Sequence, residues 1–288
     1  MIHKLLILLF CIVFSHLSIA QTWDELVFQG RQFHENGELN KAVEYLALAA
    51  DTKGKNNENL YLYAGILAAR LGKANGSFDL LQKAVDAGMW DIPRLERNNR
   101  LAELREDERW DALIKRIRRK ESEYVESTDM SHPELRVELK SMWVKDQDLV
   151  GTEKQKSIID SNSERLKDIV NEYGWPTKSM VGEDGSWFAW AIAQHSFDGE
   201  FQRTCLDLMK PLLSVQEINS ELYAELHDRI SRNANEEQTY GMAIIWIDGK
   251  KVFHPISNIE SVDQRRQSIG LPPLKVWANE NGVAYDSN

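Results

Sequence analysis

A histidine that follows an apolar run is the first candidate for chemistry in this 288-residue chain. His195 comes directly after SWFAWAIAQ, and Asp228 and Arg229 stand side by side further along. A histidine that is oriented by an acid such as Asp228 can act as a general base. The alternative is structural: His195 and Gln202 would tie a helix to a hairpin, because buried polar groups need hydrogen-bond partners. The catalytic candidates are therefore His195, Asp228 and Arg229.

The spacing of the polar residues decides whether one helix can present them. His195, Asp198 and Gln202 fall at i, i+3 and i+7, which puts them on one helix face if Gly199 does not break the helix. The helix before them is apolar on nearly every side, which indicates burial. We expect its polar end to face the acid and arginine named above and the start of a hairpin.

Arginines supply a second kind of candidate chemistry. Arg229, Arg265 and Arg266 could bind a phosphate or carboxylate with their planar forks, or pair with acids inside the fold. Adjacent helical residues diverge by about 100°, so we expect Arg265 and Arg266 to do different jobs and one of them to form an ion pair. A small anionic ligand in this part of the chain is one expectation. Its candidate binding residues are Gln194, Gln202, Gln238, Tyr240, Arg265 and Arg266.

Metal and cofactor chemistry finds no support in the spacing. His195, His227 and His254 do not follow a zinc-ligand pattern. The sequence has no G-x-S-x-G, phosphate-loop or dinucleotide motif. Cys205 lies among leucines and has no adjacent histidine, which is typical of a core thiol. We therefore expect no metal and no cofactor.

The amino terminus has the features of a secretory signal peptide at residues 1–20. Lys4 supplies the positive charge, LLILLFCIVF is the apolar run, and Ser18 and Ala20 are the small residues of a cleavage site. Cleavage after Ala20 would give a periplasmic or secreted protein without an integral membrane segment. The formal net charge of −10 argues against a nucleic-acid partner.

Residues 21–122 contain an internal repeat with an offset of 35 residues. Gly30 aligns with Gly65 and Leu46 with Leu81, and small residues recur where two helices would approach closely. This spacing resembles the tetratricopeptide repeat, a helix-turn-helix unit. The segment after the second unit is expected to cap the repeats. A protein or peptide is the expected partner of this domain.

The rest of the chain does not continue the repeat, and the spacing of its apolar residues changes. We expect a linker at residues 123–132, a second domain at 133–278 and a tail at 279–288. Within the second domain, helices with a turn at 182–185 precede a β-hairpin around Asp248-Gly249. The predicted fold is mainly α: tetratricopeptide-like helical hairpins, then a helix-rich α+β domain with one β-hairpin.

A pattern of polar, glycine and proline residues from about Pro133 to Trp277 resembles a bacterial family of unknown function. The matching residues are Asp146-Gln147, Gly174-Trp175-Pro176, Gly182, Gln194-His195, Gln202, Asp228-Arg229, Gln238-Tyr240-Gly241, Pro255-Ile256, Asp263-Arg265-Arg266, Gly270-Leu271 and Pro273-Leu274. Met242 and Ala243 depart from it, since a threonine and a glutamine are usual there. The resemblance implies no reaction.

Two functions are compatible with these features. The first is an exported interaction or ligand-binding protein, in which the repeats form a scaffold and the second domain recognises a ligand. The alternative is an extracytoplasmic enzyme with an acid-base site around Gln194, His195, Asp228 and Arg229. The two functions can be distinguished by the positions of the candidate residues, that is, by whether these residues converge on an open cleft.

Overall fold

A computed structural model describes residues 22–52, 57–247, 250–283 and 285. The predicted signal peptide and the predicted hairpin turn at Asp248-Gly249 lie outside the described residues. Within them the fold is mainly α, as predicted, with a single two-stranded antiparallel hairpin. In this part of the chain no helix has the length and apolar character needed to cross a membrane.

Two similar helical hairpins begin the fold. In the first, α1 (Trp23–Glu35) packs on α2 (Leu39–Ala50), and in the second, α3 (Glu58–Arg70) packs on α4 (Ala74–Asp86). The tight turn within each hairpin contains a glycine with a positive φ, a conformation that other residues rarely adopt.

A close contact between glycine and leucine recurs in both hairpins. A Cβ on Gly30 would lie 2.8 Å from Cγ of Leu46, and a Cβ on Gly65 would lie 3.2 Å from Cγ of Leu81. Both leucines are fully buried. The offset of 35 residues in the sequence therefore corresponds to a repeated packing contact, and the assignment to the tetratricopeptide class stays a prediction.

Three further helices cover the second hairpin: α5 (Ile92–Arg97), α6 (Ala102–Arg105) and α7 (Arg109–Ser127). Trp110 of α7 shares a buried cluster with Phe78 of the second hairpin. The segment that was expected to cap the repeats therefore packs on the second hairpin through a buried apolar face.

The helix α7 continues into the segment predicted as a linker at 123–132. It extends to Ser127. Contacts with the second half of the chain stabilise its last turns. The Tyr124 hydroxyl accepts the N–H of Glu183 at 3.0 Å. Only residues 128–132 separate α7 from the next helix. The division of the chain into two independent domains stays a prediction.

The second half supplies seven helices and the hairpin among the described residues. They are α8 (Pro133–Asp148), α9 (Gln155–Tyr173), α10 (Lys178–His195), α11 (Gly199–Met209), α12 (Ser220–Asn233), β1 (Ile244–Ile247), β2 (Lys250–Phe253), α13 (Val262–Ser268) and α14 (Leu274–Asn281). The largest buried cluster joins α8 to α12. Its centre is α10, whose residues from Phe188 to Ala193 are all buried.

The turn predicted at 182–185 is a kink inside α10. Gly182 has φ +77° and ψ 171°, and the helix resumes directly after it. This conformation favours glycine, and a Cβ at the position would lie 2.7 Å from the Tyr124 hydroxyl. The apolar residues that follow continue as helix because they are enclosed by the core of the second half.

The β-hairpin packs on the last helix. Ile244 pairs with Phe253 in its register, and both contact the buried cluster that contains Trp277 of α14. This packing stabilises the hairpin, because an isolated two-stranded hairpin is only marginally stable in water. The helix α14 extends past the predicted domain end at 278, and Val283 is buried in the same cluster. The beginning of the predicted tail is therefore part of the fold.

Candidate functional site

Asp228 binds the main chain of the segment that leads into the hairpin. Its side chain is fully buried. The carboxylate accepts three N–H groups, those of Thr239 at 2.8 Å, Tyr240 at 3.0 Å and Met242 at 2.9 Å. Because these bonds occupy both oxygens, the environment of Asp228 is that of a structural acceptor.

Gln238 fixes the same segment through its amide group. Its Nε2 donates to the carbonyls of Ala243 at 2.9 Å and His254 at 2.6 Å, and its Oε1 accepts the Ala243 N–H at 2.7 Å. Tyr240 is half-buried with its ring against that of Tyr223. Burial raises the pKa of Tyr240 to about 12, so its hydroxyl stays protonated at neutral pH.

Arg265 and Arg266 both bind main-chain carbonyls. Arg265 donates to the carbonyl of Thr239 at 2.8 Å and to further oxygens in the loop 257–261. Arg266 is fully buried and donates to the carbonyl of Tyr240 at 2.6 Å. Neither forms an ion pair with another residue that the structure describes, although one of them was expected to. The anionic ligand stays a prediction, and the geometry of these two side chains gives it no support.

The chain turns between α10 and α11, so His195 and Gln202 do not share a helix. Asp198 is the N-cap of α11, and its side chain accepts two N–H groups of the first turn. The condition for one continuous helix face is therefore not met, because Gly199 begins a new helix. Gln202 is buried and its Nε2 donates to three carbonyls at the end of α10, one of them that of Gln194, at 3.0 to 3.1 Å.

The partner of His195 is Asp146 of α8, not Asp228. His195 Nδ1 lies 2.5 Å from Asp146 Oδ2, and the two side chains are 26% and 2% exposed. The other oxygen of Asp146 is buried and has no hydrogen-bond partner among the described residues. The ring of Trp143 lies 5.1 Å from that of His195. A buried carboxylate that holds one nitrogen of a partly exposed histidine is an arrangement that suits a general base.

Arg229 lies on α12, one turn after Glu225. Burial and the neighbouring Arg232 lower the pKa of Arg229. Burial, together with the charge of Glu221, raises the pKa of Glu225 to about 7. No hydrogen bond among the described residues joins His195 to Asp228 or Arg229, and a shared catalytic role for the three stays a prediction.

A cavity of about 590 Å³ lies where the repeats meet the second half of the chain. The repeat side contributes Trp90, which follows α4, and the other side contributes Trp187 of α10. The centroids of the two indole rings are 6.5 Å apart in an edge-to-face arrangement. Pockets of this volume that combine aromatic walls with a few polar groups are typical of small-molecule sites.

Ion pairs at the cavity join the two halves. Arg136 of α8 has a side chain only 3% exposed, and its Nη2 lies 2.5 Å from Asp184 and 3.2 Å from Glu121 of α7. Lys140 also bonds Glu121 and lies over the Trp90 ring, 5.3 Å from its centroid. These contacts make the cavity a preformed feature of the junction.

Two other carboxylates at the cavity are less well compensated. Asp91 caps α5 by accepting the N–H of Arg94 at 2.9 Å. The Glu58 carboxylate forms no hydrogen bond or ion pair with another described residue. Burial raises the pKa of both carboxyl groups, and Arg94 offsets part of this effect.

Other reactive groups are sparse in the described ranges. They contain no group of three or more histidine, cysteine, aspartate or glutamate side chains that could hold a metal ion. Cys205 is buried, and burial raises its pKa to about 12. Its thiol therefore stays protonated and packs in the core.

The fold and the site define a mainly helical protein in which helical hairpins precede an α+β domain and share a cavity with it. Residues 141–286 match a family of unknown function, DUF6624. Because the match covers just over half of the 288 residues, the chain belongs to this family. The prediction of a family of unknown function in this part of the chain is confirmed, and the motif pattern stays a prediction. No curated protein and no solved structure matches the chain.

Proposed function

We propose that this chain is an exported ligand-binding protein that holds a small molecule between its helical hairpins and its family domain. The observation that carries the proposal is the cavity of about 590 Å³, whose lining includes Trp90 from the repeat half and Trp187 from the family domain. A molecule of suitable size would bury most of its surface there. Export rests on the signal-peptide features of residues 1–20.

The helical hairpins have a second part in this proposal. Their spacing resembles that of tetratricopeptide repeats, which favours a protein or peptide partner on the surface that the cavity does not use. Ligand in the cavity would contact both halves at once, so its binding would change how firmly they are joined. The protein would then present a bound ligand to a partner, as a recognition module does.

Two lysines on α7 provide a matched test of the site. Lys120 is exposed and lines the cavity, whereas Lys115 is exposed on the same helix away from it. A library of amines, carboxylates, sugars and phosphates would be screened by ligand-observed NMR. We expect ligands that bind the wild type and Lys115→Trp but not Lys120→Trp, because the indole blocks the cavity. A screen without ligands, or ligands that Lys120→Trp binds equally well, would refute the proposed function.

A second candidate function, an extracytoplasmic enzyme, is favoured by the pair Asp146–His195. The 2.5 Å contact and the partial exposure of the histidine support a general base in which Asp146 takes the place predicted for Asp228. Gln194 and Arg229 have no part in this geometry.

Replacement of His195 by glutamine distinguishes a catalytic role of this residue from a structural one. A structural role predicts that His195→Gln lowers the free energy of unfolding by about 1 to 3 kcal/mol and abolishes no reaction. A catalytic role predicts an unchanged melting temperature and the loss of turnover of a library member. Thermal melts and mass spectrometry of the incubated library would measure both properties.

A further inference from the structure

One wall of the cavity carries an excess of negative charge. Glu58, the first residue of α3, and Asp91, the N-cap of α5, both line it. Arg94 is the cation that acts on both carboxylates. Its Nη1, however, donates to the amide oxygen of Asn59 at 3.1 Å. Arg97 and Lys140 also act on Asp91, but Arg97 is paired with Asp148 and Lys140 with Glu121. Among the described residues Glu58 has no paired cation, which leaves a place for a second positive charge.

Of the other cations at the cavity, Arg136 and Lys178 are already paired with carboxylates, and Lys120 is exposed to solvent. Arg136 directs its N–H groups to Asp184 and Glu121 and is almost completely buried. Lys178 lies 3.5 Å from Glu183. Lys120 is exposed, at the mouth of the cavity. An anionic ligand at Arg136 or Lys178 would therefore displace an existing ion pair, whereas a cation beside Glu58 would compensate a carboxylate that has no paired cation.

The space beside the Glu58 carboxylate is kept open by a glycine. Gly88 also lines the cavity, and it has φ +112°, which other residues rarely adopt. A Cβ at this position would lie 3.2 Å from Oε2 of Glu58. The two indoles supply apolar area nearby, and tryptophan is the side chain whose ring attracts cations most strongly. Lys140 over Trp90 shows one such contact within the protein.

We infer that the cavity takes an organic ammonium ion, with the cation at Glu58 and Asp91 and an apolar or aromatic body against Trp187. This assignment rests on the proposed binding function and adds the chemical class of the ligand. It replaces the expected small anion, whose candidate arginines are already engaged with main-chain carbonyls.

The ionisation of the two carboxyl groups is consistent with this ligand. Burial disfavours their charged forms and raises the pKa of both Glu58 and Asp91 in the free protein. A bound ammonium ion would favour the charged forms and reverse that direction. Affinity for an amine should therefore fall as the pH decreases from neutral and the carboxylates take up protons.

Three probes of similar shape and different charge test the class. They are 3-phenylpropylamine, 3-phenylpropanol and 3-phenylpropanoate, titrated into the full-length mature protein by calorimetry and NMR. We expect the amine to bind at least about tenfold more tightly than the alcohol, because a charge-assisted hydrogen bond is stronger than a neutral one. The carboxylate should bind most weakly.

Charge-neutral variants locate the ammonium group. Glu58→Gln and Asp91→Asn keep the side-chain shape, and asparagine is as good an N-cap as aspartate. Each variant should weaken amine binding by about tenfold. Glu103→Gln removes the same charge from an exposed position on α6 outside the cavity and should leave the affinity unchanged.

The outcomes separate the ligand class from the binding function. Tighter binding of the carboxylate or the alcohol, blocked by Lys120→Trp, would overturn the ammonium assignment and leave the binding function standing. An amine affinity that neither Glu58→Gln nor Asp91→Asn changes would do the same. If none of the three probes binds but library members do, ammonium ions among those members support the assignment, and a set of anions or neutral molecules alone overturns it.

Discussion

The indole rings of Trp90 and Trp187 meet edge to face across the junction of the two halves, with their centroids 6.5 Å apart. Trp187 in turn contacts Trp143 at 5.1 Å, and Trp143 contacts the ring of His195 at 5.1 Å. A continuous line of aromatic contacts therefore leads from the cavity to the pair of His195 and Asp146. The cavity and the histidine–aspartate pair are therefore connected through one aromatic core.

The packing of the first helical hairpin can be tested at a glycine. Gly30→Ala should lower the free energy of unfolding by about 1 to 3 kcal/mol, because the new Cβ would lie 2.8 Å from Cγ of Leu46. Gly76 has no such neighbour within 4 Å and lies inside α4. Gly76→Ala should therefore raise stability by about 0.5 to 1 kcal/mol. Denaturant unfolding measures both variants, and a Gly30→Ala protein as stable as the wild type would contradict the described contact.

The structural role of Asp228 predicts a large effect of its removal. Asp228→Ala would leave the three N–H groups of residues 239, 240 and 242 without their acceptor. We expect a loss of about 3 kcal/mol or more in the free energy of unfolding. Asp207 is exposed, so Asp207→Ala should change it by less than about 0.5 kcal/mol. Equal thermal melts of the two variants would show that Asp228 does not organise the hairpin.

The elements of the fold could be predicted because their signals are local. Pro133 begins α8 and Gly174 ends α9. The two strand-like runs on either side of the predicted turn form the two strands of the hairpin. The kink at Gly182 was predicted as a turn, since a glycine pair after a short helix gives the same local signal. Only the core around α10 makes the chain continue as helix.

The site could not be predicted because it depends on contacts between distant residues. His195 and Asp146 are 49 positions apart, and their spacing carries no signal of contact. The one indication in the sequence was that Asp146 belongs to the set of residues that resembled the family. The cavity was missed for the same reason. Trp90 and Trp187 lie in segments that were predicted to form separate domains, so the sequence contained no indication that their side chains are in contact.

The partly buried Glu225 makes stability depend on pH. Its pKa is raised from 4.5 to about 7, so the folded state holds the proton more tightly than the unfolded chain. This contribution to stability is complete below the unfolded pKa and is lost as the pH rises through about 7. Glu225→Gln should therefore be more stable than the wild type by about 1 to 3 kcal/mol at about pH 8 and similar to it at about pH 5.

Unfolding by denaturant at the two pH values measures this difference. Glu103→Gln removes the same charge from an exposed site and serves as the control, with no pH-dependent gain expected. A stability gain of Glu225→Gln that is equal at both pH values would contradict the raised pKa.

Fluorine NMR of the tryptophans tests the binding function most directly. Incorporation of 5-fluorotryptophan gives each of the nine indoles one resonance, and single Trp→Phe replacements assign those of Trp90 and Trp187. Titration with the tightest ligand of the library screen should shift these two resonances together to saturation. The resonance of Trp246, which is 65% exposed on β1, should not move. A saturable shift of other tryptophans, with Trp90 and Trp187 unchanged, would contradict a ligand held between the two halves.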